Sequence, residues 1–182
     1  MPSARFCFPH HGNRTLDFYL FDEVENAGEL RDRLVGGEDV GCAILGAATV
    51  AGTAHLLLAA NKALARDGDG TRKVKGLHAD LVFALAASKH IGEALRHFGI
   101  PLTTTPCRLC VAVFDADEST PAAIRELVSG NEACDPLGLM EGGTWTDWDA
   151  LRNLFRIGAL EEEASPGGLI GAVLNRVGTS EK

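Results

Sequence analysis

Cys107 and Cys110 stand in a CxxC pattern, the spacing with which two thiolates begin a tetrahedral zinc site. They lie, however, in CRLCVAVFD, an alternating apolar run that predicts a strand, where residues three apart point to opposite faces. No second CxxC and no paired histidines complete a ligand set, so thiols of a strand are the reading. His10 and His11 are neighbouring imidazoles without partners in sequence and read as surface residues. The run DGDGT begins like a calcium loop, but Arg72 occupies the position that needs glycine and His78 the position that needs a closing carboxylate. GDGTRK, Gly68 to Lys73, lacks the third glycine of a dinucleotide loop and reads as a turn. The chain has no GxxxxGK[ST] and no GxSxG. Asp22, Glu23 and Glu25 form a carboxylate cluster. It serves either acid–base work or the positive end of the helix expected after it, and sequence does not separate the two.

The stretch LLLAANKALAR, Leu56 to Arg66, places Asn61 and Lys62 in the middle of an apolar helix. At about 100° per residue, His55, Lys62 and Arg66 project within about 40° of one another, with Leu57, Ala60 and Leu64 opposite. The following loop adds Arg72, Lys73 and Lys75, and His78 opens the next element. Two readings stand side by side: a local basic patch, or the wet face of a core helix whose last turn carries cations that suit its dipole. Asn61 falls closer to the buried side and is expected to be a hydrogen-bonded core amide.

These residues need elements to hold them. The chain has 182 residues, 46% hydrophobic and 23% charged, which fits one domain with a substantial core. The expected arrangement is a flexible segment 1–14 followed by a single domain, 15–182. A net charge of -8 argues against a broad nucleic-acid footprint and leaves room for a small one. No run of about 18 apolar residues and no leader with a cleavage pattern occurs, and five irregularly spaced cysteines fit reduced thiols. An intracellular protein is therefore expected.

Strands are predicted at Thr15–Phe21, at CAIL, at Leu77–Leu85 (with helix competing because of its alanines) and at CRLCVAVFD. Helices are predicted over NAGELRDRLV, with Asn26 as N-cap and Glu29 completing a capping box, and from about Thr53 to Arg66. Others follow over KHIGEALRHFG capped by Ser88, over PAAIRELVSG with Pro121 in its first turn and Gly130 at its close, over DWDALRNLFRI capped by Thr144 or Thr146, and over the terminal GGLIGAVLNRV after an EEEAS linker. This order predicts an α+β fold: a compact two-layer sandwich, its small sheet mostly antiparallel or mixed and packed with helices.

Four stretches, YLFDEVENAGELR, LLLAANKALAR, LHADLVFALAASKHIGEALRHFGI and LNRVGTSEK, in this order closely resemble the PRPK-binding protein family, the kinase-associated subunit of the KEOPS (EKC) complex. The resemblance runs from about Leu16 to the C-terminus. It departs at Ala47–Thr53, where the family has a proline and an acidic-proline helix start, and at Ser119–Gly143. It implies a compact α+β protein without catalytic residues, metal or cofactor. Such a protein binds the N-terminal lobe of a small atypical kinase/ATPase and, with the other KEOPS subunits, helps hold the tRNA acceptor end during threonylcarbamoyl modification of adenosine. Cytoplasm and nucleus are the expected locations. Candidate RNA-binding residues are Asn61, Lys62, Arg66, Lys73, Lys75 and His78; candidate kinase-binding residues are Ile91, Leu95 and Phe98, one ridge of a helix. A free-standing RNA-binding module and a small-molecule enzyme are the alternatives.

Overall fold

The computed structural model describes residues 4–102 and 106–180. Its elements run β1 (Ala4–Phe8), β2 (Arg14–Val24), α1 (Ala27–Val35), β3 (Ala43–Gly46), α2 (Thr53–Gly68), α3 (Leu77–Leu85), α4 (Ile91–Phe98) and β4 (Cys107–Phe114). They continue with α5 (Thr120–Leu127), β5 (Asn131–Glu132), α6 (Pro136–Glu141), α7 (Trp148–Phe155), α8 (Ala159–Ala164) and α9 (Gly168–Thr179). The sheet has the order β1-β2-β4-β3, β5 pairs with β2, and every pairing is antiparallel. The α+β class is as the sequence predicts.

Strand alternation sorts the core. Leu16, Phe18 and Leu20 of β2, with Cys110, Ala112 and Phe114 of β4, face a large cluster built by α2, α3, α4, α7 and α9. Tyr19 and Phe21, with Leu109, Val111 and Val113, face the other way, where Leu30 of α1 and Ile124 of α5 cover them. Both faces of the sheet are thus covered, one thickly and one by two short helices. That is more cover than two layers imply, and it buries every residue of Leu16–Phe21 in β2 and of Leu109–Phe114 in β4, where alternation of buried and exposed positions is expected from the sequence. Cys107 and Cys110 do lie on opposite faces of β4.

Several local expectations are corrected. Leu77–Leu85 is the helix α3, not a strand. Residues 80–85 are buried all round, so the period that distinguishes helix from strand disappears from the sequence. The EEEAS segment contributes to α8 instead of a bare linker. Residues 4–8, inside the segment 1–14 set apart as flexible, form the edge strand β1. Its Arg5 reaches the buried Asp17 through Nε at 2.8 Å and Nη2 at 2.6 Å. The first three residues of that segment, and Glu181 and Lys182 of the terminal pattern, lie outside the described residues.

The caps differ too. Asn26 precedes α1 but does not cap it; its amide donates to the Leu127 carbonyl at 2.9 Å and accepts from Ser129 N–H at 3.0 Å, tying α1 to the end of α5. Asp147, not a threonine, caps α7 by accepting from Ala150 N–H at 2.9 Å; Thr146 instead donates to the Val50 carbonyl. His90 is the residue before α4, and Ser88 holds that turn by accepting from His90 N–H at 3.0 Å. Asp22, Glu23 and Glu25 precede a helix that starts only at Ala27. Asp22 and Glu23 belong to β2 and its bulge, with Asp22 paired to Arg108 at 3.1 Å and Glu23 accepting from Asn131 at 2.7 Å.

Two glycines fix where α4 meets the sheet. A Cβ at Gly99 would collide with the Leu95 carbonyl, and one at Gly46 would stand 3.2 Å from the Gly99 carbonyl. Their small size lets Gly46 N–H donate to that carbonyl at 3.1 Å, pinning the helix end to β3. The burial pattern gives a direct test. Phe18→Ala, at a side chain with no exposure, is expected to lower unfolding free energy by about 3–5 kcal/mol. Val35→Ala, at a side chain 82% exposed, is expected to stay within about 0.5 kcal/mol. Denaturant unfolding of both variants is the measurement.

Candidate functional site

The cations of α2 are placed by the helix period and claimed by what packs there. Leu56, Ala59, Ala60, Ala63 and Leu64 are buried against α3 and α9, which leaves positions 62 and 66 at the seams between helices rather than in open solvent. Lys62 is half-buried. Its Nζ donates to the carbonyls of Val177 at 2.6 Å and Ser180 at 2.8 Å and to the Ser180 hydroxyl at 3.2 Å. It therefore caps the end of α9, where helix carbonyls lack intrahelical donors and a cation suits the dipole. Desolvation under that end, and then the nearby Arg66, hold its pKa below the ordinary lysine value.

Arg66 is 11% exposed. Its Nε donates to Oδ2 of the fully buried Asp80 at 2.9 Å, and its guanidinium lies 5.8 Å from the centroid of the Phe83 ring. His55, expected beside Lys62 on an outward stripe, is fully buried. It accepts from Ala51 N–H at Nδ1, 3.1 Å, and donates from Nε2 to the Leu85 carbonyl at 2.9 Å, which is the pattern of a neutral ring. Phe98 and Phe155 meet it edge-on with centroids 6.0 Å and 5.9 Å away. The outward stripe drawn from helical angles is thus corrected: one member is core and the other two fasten helices.

Asn61 is also corrected. It is exposed, and its Oδ1 lies 2.8 Å from His11 Nε2, so it joins α2 to the turn after β1. His78 is largely covered and accepts from Phe114 N–H at 3.2 Å. Burial lowers its pKa from the ordinary histidine value, with Arg14 working the same way and Asp39 and Asp115 opposing. Of the expected cations, Lys73 and Lys75 are exposed and make no ion pair among the described residues, whereas Arg72 is held by Asp67 at 3.2 Å. Gly70, at φ +67°, makes the turn in GDGTRK an ordinary helix-terminating one, with Thr71 N–H donating to the Arg66 carbonyl at 2.9 Å.

Of the apolar ridge on α4, Phe98 is 1% exposed and Ile91 packs against the core, while Leu95 is 40% exposed. Only Leu95 is left facing outward. Leu102, shortly after the same helix, is 72% exposed. Other chemistry-bearing groups serve the core: burial pushes the Cys110 thiol up to about 12, far from a nucleophilic thiolate at neutral pH. No group of three or more His, Cys, Asp or Glu side chains suited to a metal ion occurs among the described residues. None of their helices is long and apolar enough to cross a membrane.

A sequence model of the family described as "Kinase binding protein CGI-121" matches residues 21–181. The chain belongs to this family. The CGI-121 match begins in β2, so α1, α2, α4 and the end of α9, with the Lys62 and Arg66 contacts, all fall inside it. Similar curated proteins carry consistent names. "EKC/KEOPS complex subunit TPRKB" of Danio rerio is 29% identical over 163 residues, 90% of this chain and 89% of that protein. "EKC/KEOPS complex subunit CGI121" of Yarrowia lipolytica is 36% identical over 86 residues; there the chain spans about half of that relative, 51%. A protein of the same description from Coccidioides immitis is 28% identical over 144 residues, 78% of this chain and 69% of that protein.

The environment of His78 yields a pH prediction. A folded pKa below the unfolded one means that, between the two, the unfolded chain binds more protons. Stability is then full above about 6.5 and falls as pH drops through the folded pKa. The expected result is that the His78 ring titrates by NMR with a midpoint below about 6.5 and that His78→Gln flattens the stability loss across that window. A midpoint at or above that value would contradict the assignment.

Proposed function

We propose that this CGI-121 family protein is a non-catalytic subunit of a KEOPS/EKC assembly. In that role it binds the small atypical kinase/ATPase of the complex and helps hold the tRNA acceptor end while adenosine receives its threonylcarbamoyl group. The family match over residues 21–181 carries the reading, supported by relatives named as EKC/KEOPS subunits. The side chains that sequence offered for chemistry support it from another direction. His55, Arg66 and Cys110 are consumed by packing and by contacts inside the fold. Work in cytoplasm and nucleus belongs to this proposal.

The kinase is assigned to the outer face of α4, centred on Leu95, because an apolar side chain left outward on a fixed helix suits an interface core. The RNA is assigned to the loop between α2 and α3, where Lys73 and Lys75 are exposed. Two lysines in an acidic protein suit a few phosphate contacts within a larger assembly. Co-expression with the kinase tests the first assignment. Leu95→Glu is expected to keep the wild-type circular dichroism and melting point yet lower recovery of the kinase at least about tenfold, roughly the cost of burying an unpaired charge. Undiminished co-elution of a folded variant removes α4 from the interface. For the second, Lys73→Glu with Lys75→Glu in the assembled complex is expected to weaken tRNA binding and reduce its salt slope by about one per lost phosphate contact. Unchanged affinity and slope count against that loop.

A further inference from the structure

A cleft of about 740 Å³ opens between α4 and α7, within the range of about 300–1,000 Å³ usual for small-molecule sites. Its floor is apolar, made by Ala94, Phe98 and Phe155, and its walls carry Arg96, Asn153 and Arg156. Nothing in the kinase or tRNA reading uses this space.

The arginines single it out. Of the twelve arginines in the chain, nine are ion-paired: Arg5, Arg14, Arg33, Arg66, Arg72, Arg108, Arg125, Arg152 and Arg176. Arg31 donates to the Pro101 carbonyl. The two that remain, Arg96 and Arg156, line the same cleft. The Arg96 guanidinium has one long contact, 3.3 Å, to the His97 ring; Arg156 donates only its backbone N–H, to the Asn153 carbonyl at 3.2 Å, and its guanidinium is in no ion pair among the described residues. Two other charged groups reach the cleft. Arg176 is already neutralised by both Glu161 oxygens at 3.0 Å and 2.7 Å, and Glu93 is bonded by the Ser88 hydroxyl at 2.9 Å. The local balance is therefore two uncompensated guanidinium groups against one carboxylate, in a protein of net charge -8. Arg156 also ends α7 in the left-handed conformation, φ 53°, where glycine is the ordinary choice.

We propose that this cleft binds a small phosphomonoester of about mononucleotide size, with Arg96 and Arg156 clamping the phosphate and the apolar floor taking the remainder. Planar guanidinium forks match phosphate oxygens bidentately, and two of them balance a charge of about -1.5 to -2, more than a single carboxylate supplies. The competing role for both arginines is compensation of the helix ends at which they sit.

Titration of the isotope-labelled full-length chain by NMR separates the two. The probes are adenosine monophosphate, inorganic phosphate and adenosine. Adenosine monophosphate is expected to give saturable shifts confined to the backbone of α4 and α7, phosphate weaker saturable shifts at the same residues, and adenosine none. Arg96→Gln and Arg156→Gln are each expected to weaken the nucleotide at least about tenfold, with Arg156→Lys recovering part of the loss and all melting points unchanged. Absence of saturation by about 10 mM, equal binding of adenosine, or unaltered affinity in both glutamine variants would overturn the site. The wild-type arms decide the question even where a variant folds poorly. Neither kinase nor RNA is present, so the outcome is separate from that of the proposed KEOPS role.

Discussion

The arrangement depends on the Arg66–Asp80 pair, a charge contact almost wholly removed from water. Taking a guanidinium and a carboxylate into an interior is costly unless they meet in good geometry. Here the cost fixes α2 against α3, because no small sliding of one helix along the other keeps Nε 2.9 Å from Oδ2. Asp80 Oδ1 is buried without a hydrogen-bond partner, so the pair has little to fall back on when Arg66 is lost. Lys62, one turn before, does the same for α9, and His55 at the other end of the helix does it for the last residue of α3. Three polar side chains at α2 positions 55, 62 and 66 thus orient the helical layer on the sheet.

This placement accounts for the character of the surface. Once the α2 cations are spent inside, an acidic body remains with few outward cations outside ion pairs among the described residues: Lys73 and Lys75 in one loop, Lys89 just before α4, and Arg96 and Arg156 at one cleft. An apolar side chain, Leu95, is left on the outer face of α4, whose inner face is locked by Phe98 against His55 and Phe155. A rigid helix with one outward anchor suits a docking protein, since a fixed backbone loses little freedom on binding.

How much of this could be read from sequence depended on whether a residue's partner was local. The strand at Leu16–Phe21, the start of α2 at Thr53 and the stop of α4 before Gly99 are local signals and stand where they were expected, although burial of all six residues from Leu16 to Phe21 removes the alternation expected of that strand. The helix α3 was obscured because burial on every side erases periodicity. The caps failed where a distant backbone captured the side chain: Asn26 is taken by residues a hundred positions away in α5 and beyond. The basic residues of α2 were legible as one side of a wheel, but a wheel has no neighbours on it. That the wet-looking face meets Asp80 and the end of α9 is tertiary information, carried by residues 14 and 115 positions on. The unpaired arginines of the cleft could not be singled out at all, because being unpaired shows only when every other pairing is known.

The central claim is that the positive charge of α2 serves the interior. A double-mutant cycle on the pair tests it most directly: Arg66→Met, Asp80→Leu and the combination, each measured by denaturant unfolding. Breaking a buried pair by removing one partner is expected to cost about 3–5 kcal/mol, and the double variant is expected to recover much of that. If Arg66→Met changed stability by less than about 0.5 kcal/mol and the two effects were simply additive, the pair would not be holding α2 to α3, and the account would be wrong.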